Sequence, residues 1–206
     1  MGGTVHHDPE IAPYFRASGW KKLNLNDLAT PDTADWMKAI STFESRIGVR
    51  FFEPVDALVI AEKGKKPKRY GFVTLAIDCL LIETLQGFYE GICDHTGHSG
   101  PLFKAFLKRW DAFTACVSLH EREIKAALIY SQVRCALHHS GATGSNCRIG
   151  VSGPPFAFNG NKIELNRVRF HDELKLAFAK YVSELKDPVN LSLRQNFKTK
   201  MEFICA

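Results

Sequence analysis

The 206-residue sequence is 45% hydrophobic, which is enough to bury a substantial core and excludes intrinsic disorder for most of the chain. Asp78 and Glu83 interrupt its most apolar stretch, so we expect a soluble protein with no membrane-spanning helix. A formal net charge of +5 permits a polyanionic partner such as a nucleic acid but does not identify one.

The cysteines and the N-terminus indicate a cellular compartment. Six cysteines are spread along the chain without a C-x-x-C pair, mostly in apolar segments where a free thiol behaves as a small hydrophobe. Residues 1–13 are polar and lack the apolar core of a signal peptide, and we expect His6 and His7 to be solvent-exposed. The sequence therefore predicts a protein of the reducing cytoplasm, without secretion or a lipid anchor.

The first part of the chain predicts two helices separated by a basic loop. A Thr-Pro-Asp sequence at Thr30 supplies an N-cap, a proline for the first turn and an early acid, which predicts a helix over 30–48. A glycine and a proline among five basic residues predict an exposed loop over 62–69. Apolar residues then recur every three or four positions across 70–92 and predict one long helix.

Two further helices are predicted in the middle of the chain. The segment 93–98 carries one cysteine and two histidines but matches no common zinc motif, so no metal site is expected. After it, 102–110 is typical of a short helix and 118–138 of a long one with two glutamates in its first turn. Gly141 is well placed to terminate this long helix.

The pattern changes over 147–168, where glycines and prolines punctuate short runs. An Asn159-Gly160 pair is typical of a tight turn, so this region predicts a small β-hairpin. Apolar spacing returns over 174–185 and 191–204, which predicts two final helices. Four long helices with one hairpin insertion predict an all-α fold, an up-and-down four-helix bundle.

Arg134 lies inside the apolar arc of the helix predicted over 118–138. On a helical wheel it is flanked by apolar residues, which are Ile124, Ala127, Leu128 and Cys135 on one side and Ala126, Tyr130, Val133 and Leu137 on the other. A guanidinium there is costly unless it is paired or faces a water-filled cleft. Either a core carboxylate such as Glu83 pairs with Arg134, or Arg134 meets a phosphate ligand or a subunit interface.

The residues around Arg134 form a motif, which reads Arg134-Cys-Ala-Leu-His-His139 and continues Ser-Gly-Ala-Thr143. It resembles the HEPN superfamily, whose mark is an arginine and a histidine with four to six residues between them at the end of a bundle helix. Plasmid- and defence-associated bacterial members read Tyr, two or three residues, Arg-Cys-Gly-Leu-Leu-His and then Thr. The matching positions are Tyr130, Arg134, Cys135, Leu137, His139 and Thr143. Ala136 replaces the glycine, and His138 replaces the second leucine.

The resemblance implies a fold and an activity. The fold would be a HEPN-like up-and-down four-helix bundle, and the resemblance covers a core of about 70–186. The pattern of the sequence alone predicts residues 1–30 as an N-terminal extension and 31–206 as one helical domain around that core. The activity would be cleavage of RNA without a metal or cofactor, in a cleft that two copies of the motif form across a homodimer. Such proteins act as toxins or phage-defence effectors.

Histidine and arginine suit this chemistry. Attack of a ribose 2′-hydroxyl on the adjacent phosphodiester needs a group that titrates near neutral pH and a fixed positive charge where negative charge develops. We therefore expect His139 to act as acid or base and Arg134 to stabilise the transition state, with Tyr130 as an RNA contact. His138 is the rival of His139, because on an unbroken helix the residue four positions after Arg134 shares its face.

Supporting residues and other functions are also open. Glu83 either holds Arg134 in place or is a plain boundary residue. The basic loop offers four further RNA contacts, Lys65, Lys66, Lys68 and Arg69. A solvated loop explains these charges equally well. The alternative to catalysis is a non-catalytic HEPN module that binds RNA, a nucleotide or a partner protein such as an antitoxin, and a purely structural helical subunit is the third hypothesis.

Overall fold

Helices built on the apolar spacing make up most of the molecule. In the computed structural model, which describes residues 8–206, 62% of the structure is helical and two small β-sheets are present. The α-helices are α1 (Ala17–Trp20), α2 (Ala34–Ile47), α3 (Glu53–Ala61), α4 (Gly71–Glu90), α5 (Ser99–Arg109), α6 (Asp111–Thr114), α7 (Arg122–Ile129), α8 (Ala136–Ser140), α9 (Arg167–Lys186) and α10 (Leu191–Ile204). The other helical segments are π-helical at Gly48–Phe52 and Tyr130–Cys135 and 3₁₀ at Leu119–Glu121.

Side-chain caps decide where two of the helices begin. α4, α5 and α10 lie where the apolar spacing predicted them. The N-cap of α2 is Thr33 rather than Thr30, because the Thr33 hydroxyl oxygen accepts the Trp36 N–H at 3.3 Å. α9 begins well before the predicted position 174, since the Asn166 side-chain oxygen accepts the N–H of Val168 at 3.2 Å.

The strands form two separate sheets. They are β1 (Glu10–Ala12), β2 (Phe15–Arg16), β3 (Cys147–Gly150), β4 (Phe156–Asn159) and β5 (Lys162–Asn166). β1 pairs antiparallel with β2, and the other three form a mixed sheet in the order β3-β5-β4. β4 and β5 make the expected hairpin, with Asn159 opposite Lys162. β3 runs parallel to β5, with Ile149 opposite Leu165.

The predicted four-helix bundle with a hairpin insertion is therefore wrong, although the fold is helix-dominated. The expected hairpin is part of a three-stranded mixed sheet, because β3 pairs with a strand that is not its neighbour in sequence. The stretch predicted as one helix over 118–138 contains a 3₁₀ turn, α7, a π-helical segment and α8. A π turn accommodates an extra residue in the helix, so the 3.6-residue apolar period does not reveal it.

Two compact units make up the chain, and α4 and α9 contribute residues to both. Within the described residues, the first unit contains 8–50, 88–94 and 181–206, and the second contains 51–87 and 95–180. Of the predicted N-terminal extension, residues 8–30 therefore belong to the first unit. Residues 1–7, which include His6 and His7, lie outside the described part of the chain.

An aromatic cluster around Phe197 forms the core of the first unit. The ring centroid of Phe197 lies 5.3 Å from that of Phe43 and 5.9 Å from those of Phe88 and Trp20. All four side chains are buried. The contacts hold α1, α2 and α10 together with the last part of α4.

Arg194 is fully buried in the first unit, on α10. Its guanidinium donates to four backbone carbonyl oxygens, those of Leu28 at 2.5 Å, Leu185 at 3.0 Å, Asp187 at 2.5 Å and Pro188 at 2.6 Å. Burial lowers the pKa of Arg194. Three of these carbonyls belong to the end of α9 and the turn after it, so Arg194 fixes the connection between α9 and α10.

The second unit packs its three-stranded sheet against helices. The ring centroid of Trp110 lies 5.3 Å from that of Phe156 on β4 and 5.0 Å from that of Phe170 on α9. Phe113 on α6 lies 5.6 Å from Phe156. These edge-to-face contacts hold the sheet and the start of α9 against the corner between α5 and α6.

α4 is the one helix of the described chain that is long and apolar enough to cross a membrane. This differs from the expectation from sequence, in which Asp78 and Glu83 interrupt the apolar stretch. Most of α4 is buried inside the protein, and both of these acids are among its buried residues. α4 thus has the character of a buried core helix.

Replacing Arg194 with methionine is expected to lower the free energy of unfolding by at least about 3 kcal/mol, because buried carbonyl oxygens lose their donor. Urea unfolding followed by circular dichroism measures the change. Gln195→Met is the matched control, since Gln195 is the exposed neighbour on the same helix and its replacement is expected to cost less than about 0.5 kcal/mol. Equal losses for the two variants would contradict the role assigned to Arg194.

Candidate functional site

The helix end that carries the motif is assembled from three pieces. α7 leads into the π-helical segment Tyr130–Cys135, and α8 follows it. α8 ends at Gly141, which has a left-handed conformation (φ 60°) and donates its N–H to the Leu137 carbonyl oxygen at 3.1 Å. The predicted end of the helix at Gly141 is therefore confirmed. π-helical turns are frequent at functional sites, which directs attention to Arg134 inside one.

Arg134 reaches from the π-helical segment to α4, where it pairs with Glu83. Its Nε donates to Glu83 Oε1 at 2.5 Å, and its Nη2 donates to Oε2 at 3.3 Å. The Glu83 side chain is 6% exposed and that of Arg134 is 19% exposed. The carboxylate raised as a partner from the sequence is thus in place, and the two-point geometry fixes the plane of the guanidinium.

Pairing with Glu83 stabilises the charged form of Arg134, whose side chain stays partly exposed. Burial opposes the charge, but the hydrogen bond and the negative charge of Glu83 outweigh it and raise the pKa of Arg134 above its ordinary value. Because Glu83 engages Nε and Nη2, it leaves the Nη1 side of the guanidinium to other partners. Arg134 can therefore donate to an anion without leaving Glu83.

Tyr130 lies one helical turn before Arg134 and is held by α5. Its ring centroid is 5.9 Å from Arg134 Cζ and 5.6 Å from the Phe103 ring centroid, and its hydroxyl oxygen is 3.3 Å from Ser99 Oγ. Gly100 makes this approach possible, because a Cβ at Gly100 would lie 3.2 Å from the tyrosine ring. The structure thus places Tyr130 beside the guanidinium and fixes it there through α5.

His138 and His139 project from α8 into solvent. Both are exposed, and their ring centroids are 5.0 Å apart. Within the described chain neither imidazole is hydrogen-bonded to Arg134. They lie in the last turn of the helix. The structure therefore brings Arg134, Tyr130 and Glu83 together and leaves both histidines at the exposed helix end.

The loop after α8 folds back onto the π-helical segment through Gln132, which the sequence analysis missed. The Gly144 N–H donates to the Gln132 carbonyl oxygen at 2.7 Å, and the Asn146 N–H donates to its Oε1 at 3.4 Å. A side chain at Gly144 would collide with the Gln132 amide. Thr143, a position of the HEPN pattern, donates its hydroxyl to the Cys147 carbonyl oxygen at 3.1 Å. It therefore supports the start of β3.

The basic loop lies before α4, as predicted, and its four candidate RNA contacts differ in their surroundings. All four residues are exposed. Lys68 Nζ donates to the Glu62 carbonyl oxygen at 2.6 Å, and the Arg69 N–H donates to the Glu62 carboxylate. Glu83 is about 18 Å further along the axis of α4 than its first residue, at 1.5 Å per residue. The loop and the Arg134 pair therefore lie at different levels of the helix.

Glu62 and Arg167 form a buried ion pair that the sequence analysis also missed. Glu62 Oε1 accepts the N–H groups of Arg69 and Tyr70, and Oε2 accepts Arg167 Nη2. Burial alone would raise the pKa of Glu62, but the hydrogen bonds from Arg167 and the two backbone groups lower it to about 2. Glu62 and Arg167 are 105 residues apart, so no local pattern indicates the pair.

A second buried acid of α4 pairs with α9. His171 Nδ1 lies 2.7 Å from Asp78 Oδ1, and its Nε2 lies 3.6 Å from Asp56 Oδ1. Burial raises the pKa of Asp78, and His171 opposes this in part. A histidine beside a carboxylate also occurs in catalytic bases, but His171 is only 1% exposed and no substrate reaches it. We assign this pair to packing between the helices.

Within residues 8–206 the structure has no group of three or more His, Cys, Asp or Glu side chains that could hold a metal ion. Comparisons of the chain with protein-family models, curated proteins and solved structures find no match. Any functional assignment therefore depends on the residues and their geometry.

Replacing Glu62 with glutamine is expected to lower the free energy of unfolding at pH 7 by about 3 kcal/mol or more, because Arg167 becomes a buried charge without a counter-charge. The pKa of Glu62 is about 2 in the folded protein against an ordinary value of 4.5. Its ionised form therefore stabilises the fold above pH 4.5, and that contribution is lost as the pH falls towards 2. Urea unfolding between pH 2 and pH 7 measures both effects.

Glu53→Gln is the control for this prediction, because Glu53 is exposed at the start of α3. Its free energy of unfolding is expected to stay within about 0.5 kcal/mol of the wild type. Between pH 4.5 and pH 2 the wild type should lose stability more steeply than the Glu62→Gln variant. The same pH dependence in both proteins would contradict the stabilising role of the Glu62 carboxylate.

Proposed function

We propose that the chain is a metal-independent endoribonuclease of the HEPN type, with its site at the helix end from Arg134 to His139. The observation that carries the proposal is the composition of this helix end, where a charged and partly exposed arginine precedes two exposed imidazoles. We place the activity in the cytoplasm, because the six cysteines are free thiols and RNA is present there.

The proposed reaction is attack of a ribose 2′-hydroxyl on the adjacent phosphodiester, which gives a 2′,3′-cyclic phosphate and a 5′-hydroxyl. His139 accepts the 2′-hydroxyl proton or donates one to the leaving 5′-oxygen. Arg134 donates to the phosphate oxygens as negative charge develops on them, and its hold on Glu83 keeps the guanidinium plane fixed during the step.

A homodimer is part of the proposal. One copy supplies a single arginine and a pair of adjacent histidines, whereas the HEPN pattern places two copies of the motif around one cleft. The histidines are exposed at the helix end, so they are accessible to RNA and to a second copy. By the same resemblance we propose that the protein acts as a toxin or phage-defence effector, restrained by a partner such as an antitoxin.

The Arg134–Glu83 pair favours one alternative function. Glu83 offsets the charge of Arg134, which reduces the stabilisation that the guanidinium can give to negative charge developing in a transition state. A non-catalytic module that binds RNA, a nucleotide or a partner protein needs only the accessible side of Arg134 and no acid or base. Such a module does not cleave RNA, so substitution of either histidine has no catalytic effect.

The test is RNA cleavage by the purified protein in excess EDTA, with transfer, ribosomal and messenger RNA as substrates. The wild type is expected to release products that end in a cyclic phosphate. His139→Ala is expected to lower the cleavage rate by at least about 100-fold, the scale of a positioned acid or base. The same loss in His138→Ala instead of His139→Ala would show that His138 is the imidazole that acts. Arg134→Lys keeps a charge for Glu83 but loses the planar two-point geometry, and is expected to cost about tenfold or more.

His120→Ala is the matched control, because His120 is exposed at the other end of the same helical stretch. Its cleavage rate is expected to equal that of the wild type. Cleavage that survives in both histidine variants and in Arg134→Lys would identify a contaminating nuclease and contradict the proposal. No cleavage by a folded dimer on all three RNA classes would also contradict it and would favour the binding module.

A further inference from the structure

A groove lies beside the basic loop of the second unit. The residues before α4, the first turn of α4, the end of β3 and the start of α9 enclose about 280 Å³. Its lining includes Lys68, Arg69, Gly71, Phe72, Ile149 and Arg167. This volume lies just below the range of about 300–1,000 Å³ that is typical of small-molecule sites, so the groove suits a small ligand such as a mononucleotide.

Arg167 lines this groove and has an unsatisfied donor. The residue is 2% exposed, and its Nη1 is buried without a hydrogen-bond partner in the described structure. Glu62 does not supply one, because its two carboxylate oxygens already accept Arg167 Nη2 and the N–H groups of Arg69 and Tyr70. A buried guanidinium N–H without an acceptor is costly, so this atom points to an anionic ligand.

Two more cations and a helix N-terminus converge on the same place. Lys68 bonds only to a backbone carbonyl, and neither it nor Arg69 forms an ion pair with a described carboxylate. Gly71 starts α4, and a Cβ there would lie 3.1 Å from Ile149 Cγ2 and 3.5 Å from Arg167 Cδ. Glycine therefore lets the first turn of this 20-residue helix lie against Arg167. Free backbone N–H groups at a helix N-terminus favour a phosphate.

An aromatic side chain completes the groove. Phe72 follows Gly71 in the first turn of α4, lines the groove and is 47% exposed. An exposed phenyl ring beside clustered cations is the combination that binds a nucleobase next to its phosphate. The groove therefore suits a phosphate that carries a base better than inorganic phosphate.

We propose that this groove binds the 5′-phosphate of a nucleotide, with Arg167, Lys68 and Arg69 donating to the phosphate and Phe72 stacking on the base. Glu62 offsets the charge of Arg167, but Arg167 Nη1, Lys68, Arg69 and the helix N-terminus still supply more donors than the two oxygens of a carboxylate accept, which favours a phosphate. The site is separate from the proposed cleavage site, since it contains neither Arg134 nor either histidine of α8. Ligand binding at the groove can therefore be measured whether or not the protein cleaves RNA.

Isothermal titration calorimetry of the full chain with adenosine 5′-monophosphate and with adenosine tests the proposal. The monophosphate is expected to bind at least about tenfold more tightly than adenosine, because only it reaches the three cations. Lys68→Gln/Arg69→Gln is expected to weaken binding of the monophosphate about tenfold or more and to leave adenosine binding unchanged. Phe72→Leu is expected to weaken both ligands by a similar factor.

Lys63→Gln/Lys65→Gln is the matched control, since it removes the same charge from the same loop at residues outside the groove lining. Its affinity for the monophosphate is expected to stay within about twofold of the wild type. Equal binding of adenosine and its monophosphate, no binding of either ligand, or an equal loss in the control variant would overturn the proposal.

Two further measurements sharpen the test. A 5′-phosphorylated hexaribonucleotide that binds more tightly than the monophosphate identifies an RNA end as the ligand, and one that binds no more tightly identifies a free nucleotide.

The role of Arg167 is tested with a double variant. Arg167→Gln alone leaves Glu62 unpaired inside the protein, so Glu62→Gln/Arg167→Gln is used, with circular dichroism to establish folding. This double variant is expected to lose affinity for the monophosphate about tenfold, and unchanged affinity would contradict the role of Arg167.

Discussion

Two carboxylates buried on α4 constrain the second unit. Asp78 and Glu83 are 0% and 4% exposed. A carboxyl group in such surroundings either pairs with a cation or keeps its proton. The partners come from elements distant in sequence, with His171 on α9 beside Asp78 and Arg134 in the π-helical segment beside Glu83. Each pair therefore fixes one element against α4. The position of the candidate site follows from the second pair, because Glu83 determines where the guanidinium lies.

Much of the helical structure could be predicted from local pattern, because a buried helix face repeats every three to four residues and caps and glycines mark its ends. The bundle could not be predicted, for two physical reasons. β3 pairs directly with β5 although β4 lies between them in the sequence, so Cys147 lies opposite Ile163, and no turn residue encodes that register. The π-helical segments also break the helical period without changing which residues are apolar.

In the candidate site, too, some features could be predicted from local pattern and others depend on the tertiary fold. A charge inside an apolar arc is conspicuous in a sequence, so Arg134 could be singled out and Glu83 named as a partner. The contacts of Gln132 with the loop after α8 depend on how that loop returns, which its own composition does not determine. The Glu62–Arg167 pair depends on tertiary folding, because each residue alone resembles an ordinary surface charge. These two sets of contacts form only in the folded chain and leave no mark in the local sequence, whereas the position of Arg134 inside an apolar arc made its need for a partner visible.

The central claim is that Glu83 holds Arg134, and a double-mutant cycle of unfolding free energies with Glu83→Gln, Arg134→Met and the double variant tests it most directly. The account predicts a coupling energy of about 1–3 kcal/mol, as for residues in direct contact. The exposed pair of Lys108 and Glu123 serves as the reference, with an expected coupling below about 1 kcal/mol. A coupling between Glu83 and Arg134 no larger than that of the exposed pair would contradict the account.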